Sequence, residues 1–254
     1  PEWKGQFDLI ILSVKSYDTE KAVQDILPII ADNVFVCSYQ NGLGNVEKIA
    51  QFAGMDKTIP ARVIFGSRIL KPGFVQVTVI AEPTALGRFD NGPDEAIIQD
   101  IVEQMNKSGI PTVYTENIEG KIWEKVAYNS ALNPLSALLD VPYGSLLNTE
   151  ETQVIMKNVI YEIYAVALEK RVPMIIPTPD EYIQHLFYKL IPPTAEHYAS
   201  MREDLKQGKK TEIDALNGAI VRIGEKLNIK CPTNLFLTQL IKAKEQMALM
   251  TQKI

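Results

Sequence analysis

The sequence has little sulfur and little imidazole: its 254 residues include two cysteines and two histidines. Cys37 lies in an apolar, strand-like run and Cys231 stands beside Pro232. That pair gives neither a disulfide framework nor a metal-ligand spacing, so both read as reduced thiols. His185 and His197 have no cysteine or paired carboxylate at zinc-site spacing, which argues against a metal site. Basic excess is missing as well. The formal net charge is -5 and Lys209-Lys210 is too short to make a basic stripe, so a general nucleic-acid surface is not expected. No apolar run approaches the roughly 20 residues that span a bilayer, so no membrane association is expected. Pro1 to Gly5 leads into a strand and not into a signal-peptide core, and the expected location is the cytoplasm. An initiating methionine is absent, which leads to the expectation of a fragment or a truncated numbering.

What is present is enough apolar material, 46% of the residues, to bury a substantial core in one large or two modest domains. Phe7 to Val14 reads as a strand buried on both faces, the habit of a parallel sheet with helices above and below it. Asp18 to Ile30 has helical spacing with Pro28 near its end, and Val34 to Ser38 reads as a second buried strand. The loop Asn41-Gly42-Leu43-Gly44-Asn45 then opens a helix through about Phe52, with Asn45 as its N-cap. This alternation is the α/β pattern. Pro60 to Phe65, Phe74 to Ile80 and Thr84 to Gly87 are short, alternating and turn-bounded, which predicts an antiparallel or mixed edge to the same sheet. A helix over Glu95 to Met105 and a strand over Pro111 to Tyr114 follow. From Glu119 the texture becomes helical, with periodic segments at 119–139, 150–170, 179–189, 194–206 and 211–226 separated by prolines. The expected organisation is an α/β domain over 1–118 followed by an all-α domain over 119–254.

Chemistry concentrates in four places. Lys125, Asn129 and Asn133 recur every four residues, so on a helix they form one polar line while Val126, Leu132 and Leu135 face elsewhere. A lysine in a partly dry setting can donate a proton to an alkoxide, and asparagines hydrogen-bond the hydroxyl and carboxylate groups of a substrate. A solvated helix face would give the same spacing. Pro134 argues for more, because the residue before a proline is pushed out of the α region and the helix is expected to break or kink at Asn133. The loop Gln40 to Asn45 follows a buried strand and precedes a helix, where ligands of open α/β sheets bind, and Asn41 can touch one there. By itself this is a turn lacking the three-glycine fingerprint. Lys15 ends the first strand, where its charge can meet a phosphate or simply water. Further on, Ser200 begins a charged helix that breaks at Gly208, and Thr211 to Asp214 resembles a helix start with acids in its first turn. Glu212, set opposite Lys125, can hold that lysine or bind a substrate hydroxyl.

Taken in order, the strand ending Val14-Lys15, the loop Gln40-Asn41-Gly42-Leu43-Gly44, the stretch Trp123-Glu124-Lys125 through Asn133-Pro134-Leu135, and Ser200 with Gly208 to Asn217-Gly218 resemble ketopantoate reductase. The resemblance covers Phe7 to about Glu245. It implies a Rossmann-type N-terminal domain, a helical C-terminal domain akin to that of 6-phosphogluconate dehydrogenase, and a cleft between them. It further implies hydride transfer from NADPH to the ketone of 2-dehydropantoate, with Lys125 as general acid and Glu212 orienting lysine or substrate. Asn129 and Asn133 would bind the substrate's hydroxyl and carboxylate, Ser200 its carboxylate, and Lys15 and Asn41 would border the cofactor. The family's first strand, glycine loop and 2′-phosphate-binding basic residue fall upstream of Pro1, so the NADP preference is inherited from the family and these residues alone are expected to bind NADPH poorly. Tyr143 and His197 stand where some members place substrate-contacting asparagines. Two alternatives therefore stay open: a reductase of another branched 2-oxo acid, and a non-catalytic dinucleotide-sensing protein. The partner expected is a small-molecule substrate, and the apolar helical half makes a homodimer reasonable.

Overall fold

The computed structural model of the chain describes residues 7–251, so the reading of Pro1 to Gly5 lies outside the described residues. The chain divides into two compact units between Ile118 and Glu119.

The first unit is built on a five-stranded sheet in the order β1-β2-β3-β6-β7. These strands are β1 (Leu9–Leu12), β2 (Phe35–Ser38), β3 (Thr58–Arg62), β6 (Thr84–Leu86) and β7 (Thr112–Tyr114). β1, β2 and β3 run parallel, β6 runs antiparallel to β3, and β7 is parallel to β6. Because side chains alternate along a strand, β2 feeds two cores. Val36 joins Leu12 of β1, Val23 of helix α1 (Thr19–Ile26) and Ile49 of helix α2 (Asn45–Ala53). Cys37 joins Ile59, Ala61 and Leu86 beneath Ile98 and Met105 of helix α3 (Glu95–Lys107). Helices thus cover both faces of the sheet, but not all of it. Ile11, in register with Cys37, is 40% exposed because the α3 layer sits over β3 and β6, so the expectation that the first strand is buried on both faces does not hold.

Between β3 and β6 the chain makes a hairpin, β4 (Phe65–Lys71) and β5 (Phe74–Ile80), turning at Gly73 with φ 79°. The hairpin forms its own two-stranded sheet and does not extend the main one as its sequence pattern suggested. The reason is the register: Ala61 pairs with Leu86 directly, leaving the hairpin no edge to join on that side. Phe74, Val75 and Val77 are exposed.

The second unit is helical. α4 (Ile118–Leu139), α5 (Glu150–Lys170), α6 (Pro179–His185), α7 (Ser200–Lys206), α8 (Asn217–Lys226) and α9 (Pro232–Thr251) follow in order. Trp123, Val126, Ala127, Ser130, Ala131 and Leu132 are all buried, so α4 is enclosed on most of its circumference. α5, α8 and α9 pack on one another, and Lys244 of α9 donates to the Ala137 carbonyl in the last turn of α4, at 2.7 Å. Two predicted segments are shorter than expected. Residues 194–206 are helical from Ser200 on, because the backbone before it pairs with Tyr143 and Gly144. Residues 211–226 begin as a 3-10 turn, Ile213–Ala215, and become α-helical at Asn217. α9 lies beyond the last segment that the periodicity predicts, and Pro232 is its first helical residue, where its missing N–H costs nothing.

Candidate functional site

In the first unit the candidate residues stand at the carboxyl ends of β1 and β2, which the pairing of Leu12 with Ser38 brings level. Lys15 and Asn41 lie in the two loops that leave those ends. The loops are cross-linked by a buried polar lattice. Gln40, 9% exposed, donates from Nε2 to the Val14 carbonyl at 3.0 Å and to Thr19 Oγ1 at 2.7 Å. The Ser38 hydroxyl donates to Gln40 Oε1 at 3.3 Å, and Thr19 Oγ1 lies within reach of Ser16 O at 2.9 Å and Asn45 Oδ1 at 3.1 Å. Asn45 Nδ2 then donates back to the Asn41 carbonyl at 2.8 Å. Asn45 is therefore not the N-cap expected of it. Gly44, with φ 89°, occupies the cap and Asn45 is the first helical residue, its side chain turned to the loop. A Cβ added to Gly44 would meet nothing within 4 Å, so the glycine serves the left-handed turn rather than a tight contact. A level pair of parallel strand ends, glycines in the following loop and a helix starting there form an arrangement suited to a dinucleotide.

In the second unit the polar line on α4 is not a solvated face. Asn133 is 5% exposed, and Lys125 and Asn129 are half-buried. The helix also continues through Pro134 to Leu139 without the expected break. Around Asn133 the structure assembles three rings. The Tyr143 hydroxyl donates to Asn133 Oδ1 at 2.6 Å, and the Tyr143 ring meets Tyr128 edge-on at 5.9 Å and His197 at 5.2 Å. Burial pushes the Tyr143 and Tyr128 phenols up from their usual pKa, Tyr143 further raised by Tyr128, and lowers that of His197, so Tyr143 stays a hydrogen-bond donor. Backbone pairing holds the wall in place: Tyr143 N donates to His197 O at 3.0 Å and Gly144 N to Ala195 O at 2.9 Å. A Cβ on Gly144 would fall 2.7 Å from that of Ala195, so only glycine permits this approach.

Ser200 is exposed and opens α7. The preceding amide, Ala199 N, donates to Ser136 Oγ at 3.4 Å, which brings the start of α7 to the turn of α4 just beyond Asn133. Glu212 is 7% exposed, in a segment fixed by Thr211 N donating to Glu245 Oε1 at 2.7 Å. Next to Lys125, Glu124 accepts from Ile176 N at 2.7 Å, and burial raises its pKa. Sequence reasoning missed Gln40, Thr19 and Asn217 as supports. It singled out Tyr143 without foreseeing its bond to Asn133. Polar residues inside otherwise apolar segments were the available signal. Among the described residues no group of three or more His, Cys, Asp and Glu side chains is placed to hold a metal ion, and no helix is long and apolar enough to cross a membrane.

The family model described as Ketopantoate reductase PanE/ApbA matches residues 1–91, and the one described as Ketopantoate reductase PanE/ApbA C terminal matches residues 117–245. The chain is 45% identical over 238 residues to a 2-dehydropantoate 2-reductase of Aquifex aeolicus, covering 94% of this chain and 76% of that relative. Among solved structures it is similar to D-mandelate dehydrogenase in a ternary structure with NADH and anilino(oxo)acetate, with TM-score 0.86, 29% identity, and coverage of 97% of this chain and 79% of that one. It is also similar to a PanE/ApbA family ketopantoate reductase from Ralstonia eutropha, with TM-score 0.83, 29% identity and coverage of 95% and 77%.

Proposed function

The chain belongs to the ketopantoate reductase family, with a Rossmann-type first unit and a helical second unit, and from that premise we propose that it reduces 2-dehydropantoate to pantoate with NADPH. When bound, NADPH supplies the hydride that adds to the ketone carbon. Lys15 and Asn41, in the loops that leave the level ends of β1 and β2, are the residues of the first unit that would border it. The chemistry that this chain supplies lies on α4. As hydride reaches carbon, negative charge grows on the carbonyl oxygen, and Lys125 Nζ gives that oxygen a proton, leaving a hydroxyl on the product and a neutral amine on the enzyme.

Asn133 binds in one sense only. The buried Tyr143 hydroxyl needs an acceptor, and it takes Asn133 Oδ1, so the amide nitrogen faces the substrate with both hydrogens and suits a carboxylate or hydroxyl oxygen. Asn129, one turn earlier, binds the substrate hydroxyl, the Ser200 hydroxyl donates to the carboxylate, and Glu212 orients Lys125 or accepts from the substrate hydroxyl. The observation that carries this reading is the burial and locking of Asn133 on an unbroken helix in line with Lys125. The test is NADPH oxidation by the full-length protein with 2-dehydropantoate set against 2-oxoisovalerate and other 2-oxo acids. A strong preference for 2-dehydropantoate is expected, and no turnover of it would overturn the reading.

A second reading, reduction of a different 2-oxo acid, is favoured by the ring cluster of Tyr128, Tyr143 and His197 and by the likeness to D-mandelate dehydrogenase. Preference for an aryl or another branched 2-oxo acid in the same assay would decide for it. Exposed Leu235, Phe236 and Leu240 on α9 support a homodimer as the assembly, which mass measurement in solution checks.

A further inference from the structure

A proline inside a helix leaves one carbonyl without its partner, because the ring nitrogen has no hydrogen to donate four residues back. In α4 the proline is Pro134 and the carbonyl is that of Ser130. Ser130 is fully buried, so water from bulk does not reach it. The missing donor comes from another helix. Asn217, the first residue of α8 and also fully buried, donates from Nδ2 to Ser130 O at 3.0 Å. The same nitrogen lies 3.0 Å from Asn234 Oδ1, and Asn234 Nδ2 donates to Glu162 Oε2 at 2.7 Å. Glu162 of α5 in turn accepts the amides of Thr233 and Asn234 at 2.8 and 2.9 Å. A chain of bonds therefore runs from the α5 carboxylate through the first turns of α9 and α8 to the backbone of α4.

Ser130 lies between Asn129 and Asn133, in the turn that sets their spacing. We propose that Asn217 is a positioning residue for the substrate-binding line: by taking the Ser130 carbonyl it carries α4 through Pro134 in α-helical register, so that Asn133 stays one turn from Asn129 and under the Tyr143 hydroxyl. Without it, a buried carbonyl is orphaned, and a helix relieves that by opening or bending at the proline. The half that would tilt is the half carrying Asn133. This inference rests on the reading of Lys125, Asn129 and Asn133 as the line that binds substrate.

The proline supplies its own control, because alanine at 134 would restore an N–H to Ser130 and make Asn217 dispensable there. The experiment compares wild type, Asn217→Ala, Pro134→Ala and the double variant by KM and kcat for 2-dehydropantoate and by Tm. Asn217→Ala is expected to raise KM roughly tenfold on the wild-type background, the scale of a misplaced binding group. On the Pro134→Ala background the same change is expected to move KM by less than about twofold, because the two substitutions act on one carbonyl. An equal rise on both backgrounds would overturn the proposal, as would a lower Tm with KM and kcat unchanged. If Asn217→Ala does not fold, the Pro134→Ala pair decides: a folded double variant with the KM of its parent upholds the proposal, and an unfolded one overturns it. If the wild type turns over no 2-dehydropantoate, the reaction proposed above fails, and the same cycle is read on the KM of whichever 2-oxo acid it reduces, an effect lost on the Pro134→Ala background upholding this inference and an equal rise on both backgrounds overturning it.

Discussion

In the unit ending at Ile118 the candidate residues stand on two loops, whereas in the unit that follows three of them stand on one helix. The loops have no periodicity to hold them, so their geometry comes from a lattice of side chains on the loops and the segments beside them: Gln40, Thr19, Ser38 and Asn45 tie the end of β1 to the start of α2. On α4 the spacing of Lys125, Asn129 and Asn133 is given by the helix itself, and what must be imported is enclosure. It arrives from segments beyond the helix, from Tyr143 close after its end and from His197, Ala199 and Asn217 farther along the chain. Loops thus need fastening to one another to present a ligand edge, and a helix needs packing from other segments to dry one of its faces.

That contrast can be tested from both sides. The largest effect belongs to Lys125→Ala, expected to lower kcat by at least roughly 10²-fold. NADPH affinity, measured by fluorescence titration, should stay put. A near-normal kcat would remove Lys125 from the proton transfer, and a lost NADPH affinity would mean that the line serves binding of the cofactor. Next comes Asn133→Ala, expected to raise KM for the oxo acid about tenfold, with Tyr143→Phe raising it about threefold by freeing the amide to turn. An unchanged KM in Asn133→Ala would end its binding role, and equal effects would show that Tyr143 does more than orient it.

On the other side, Gln40→Ala removes the centre of the loop lattice and should weaken NADPH binding about fivefold, with kcat at saturation kept. A fall in kcat with unchanged affinity would contradict the division of labour between loop and helix. The smallest effect concerns the thiols, one in each unit. Burial pushes Cys37 far up and Cys231 up to about 11, so the reactive thiolate is scarce at neutral pH and appears only as pH rises toward those values. Native protein at neutral pH should therefore react with a thiol reagent far more slowly than denatured protein, and fast labelling of either cysteine would show that its unit opens readily.

Much of the local architecture was legible in the residues. The periodic segments 119–139 and 150–170 coincide within a residue with α4 and α5, because long amphipathic or apolar runs with clear ends, such as the Thr149 cap on α5, override little. The failures share a cause in tertiary structure. Residues 194–199 have helical composition, yet the Ala195 and His197 carbonyls are spent on Tyr143 and Gly144, a pairing across the chain that no spacing encodes. Likewise the break forecast at Asn133 followed correctly from Pro134, and was cancelled by an asparagine 87 positions from Ser130. For the candidate site, residue types and spacing named Lys125, Asn129 and Asn133, while the direction in which Asn133 presents its amide required Tyr143 to be seen in place.

The hairpin of β4 and β5 has a consequence for how this sheet tolerates change. Since β3 and β6 pair with each other directly, the intervening residues form a detour whose length is not fixed by the strands on either side. Closing a longer or shorter loop there alters the entropy of the connection only slowly with its length. The tip at Lys71 to Phe74 is consequently a natural splice point, where a label or foreign segment can be carried without shifting any of the five core strands.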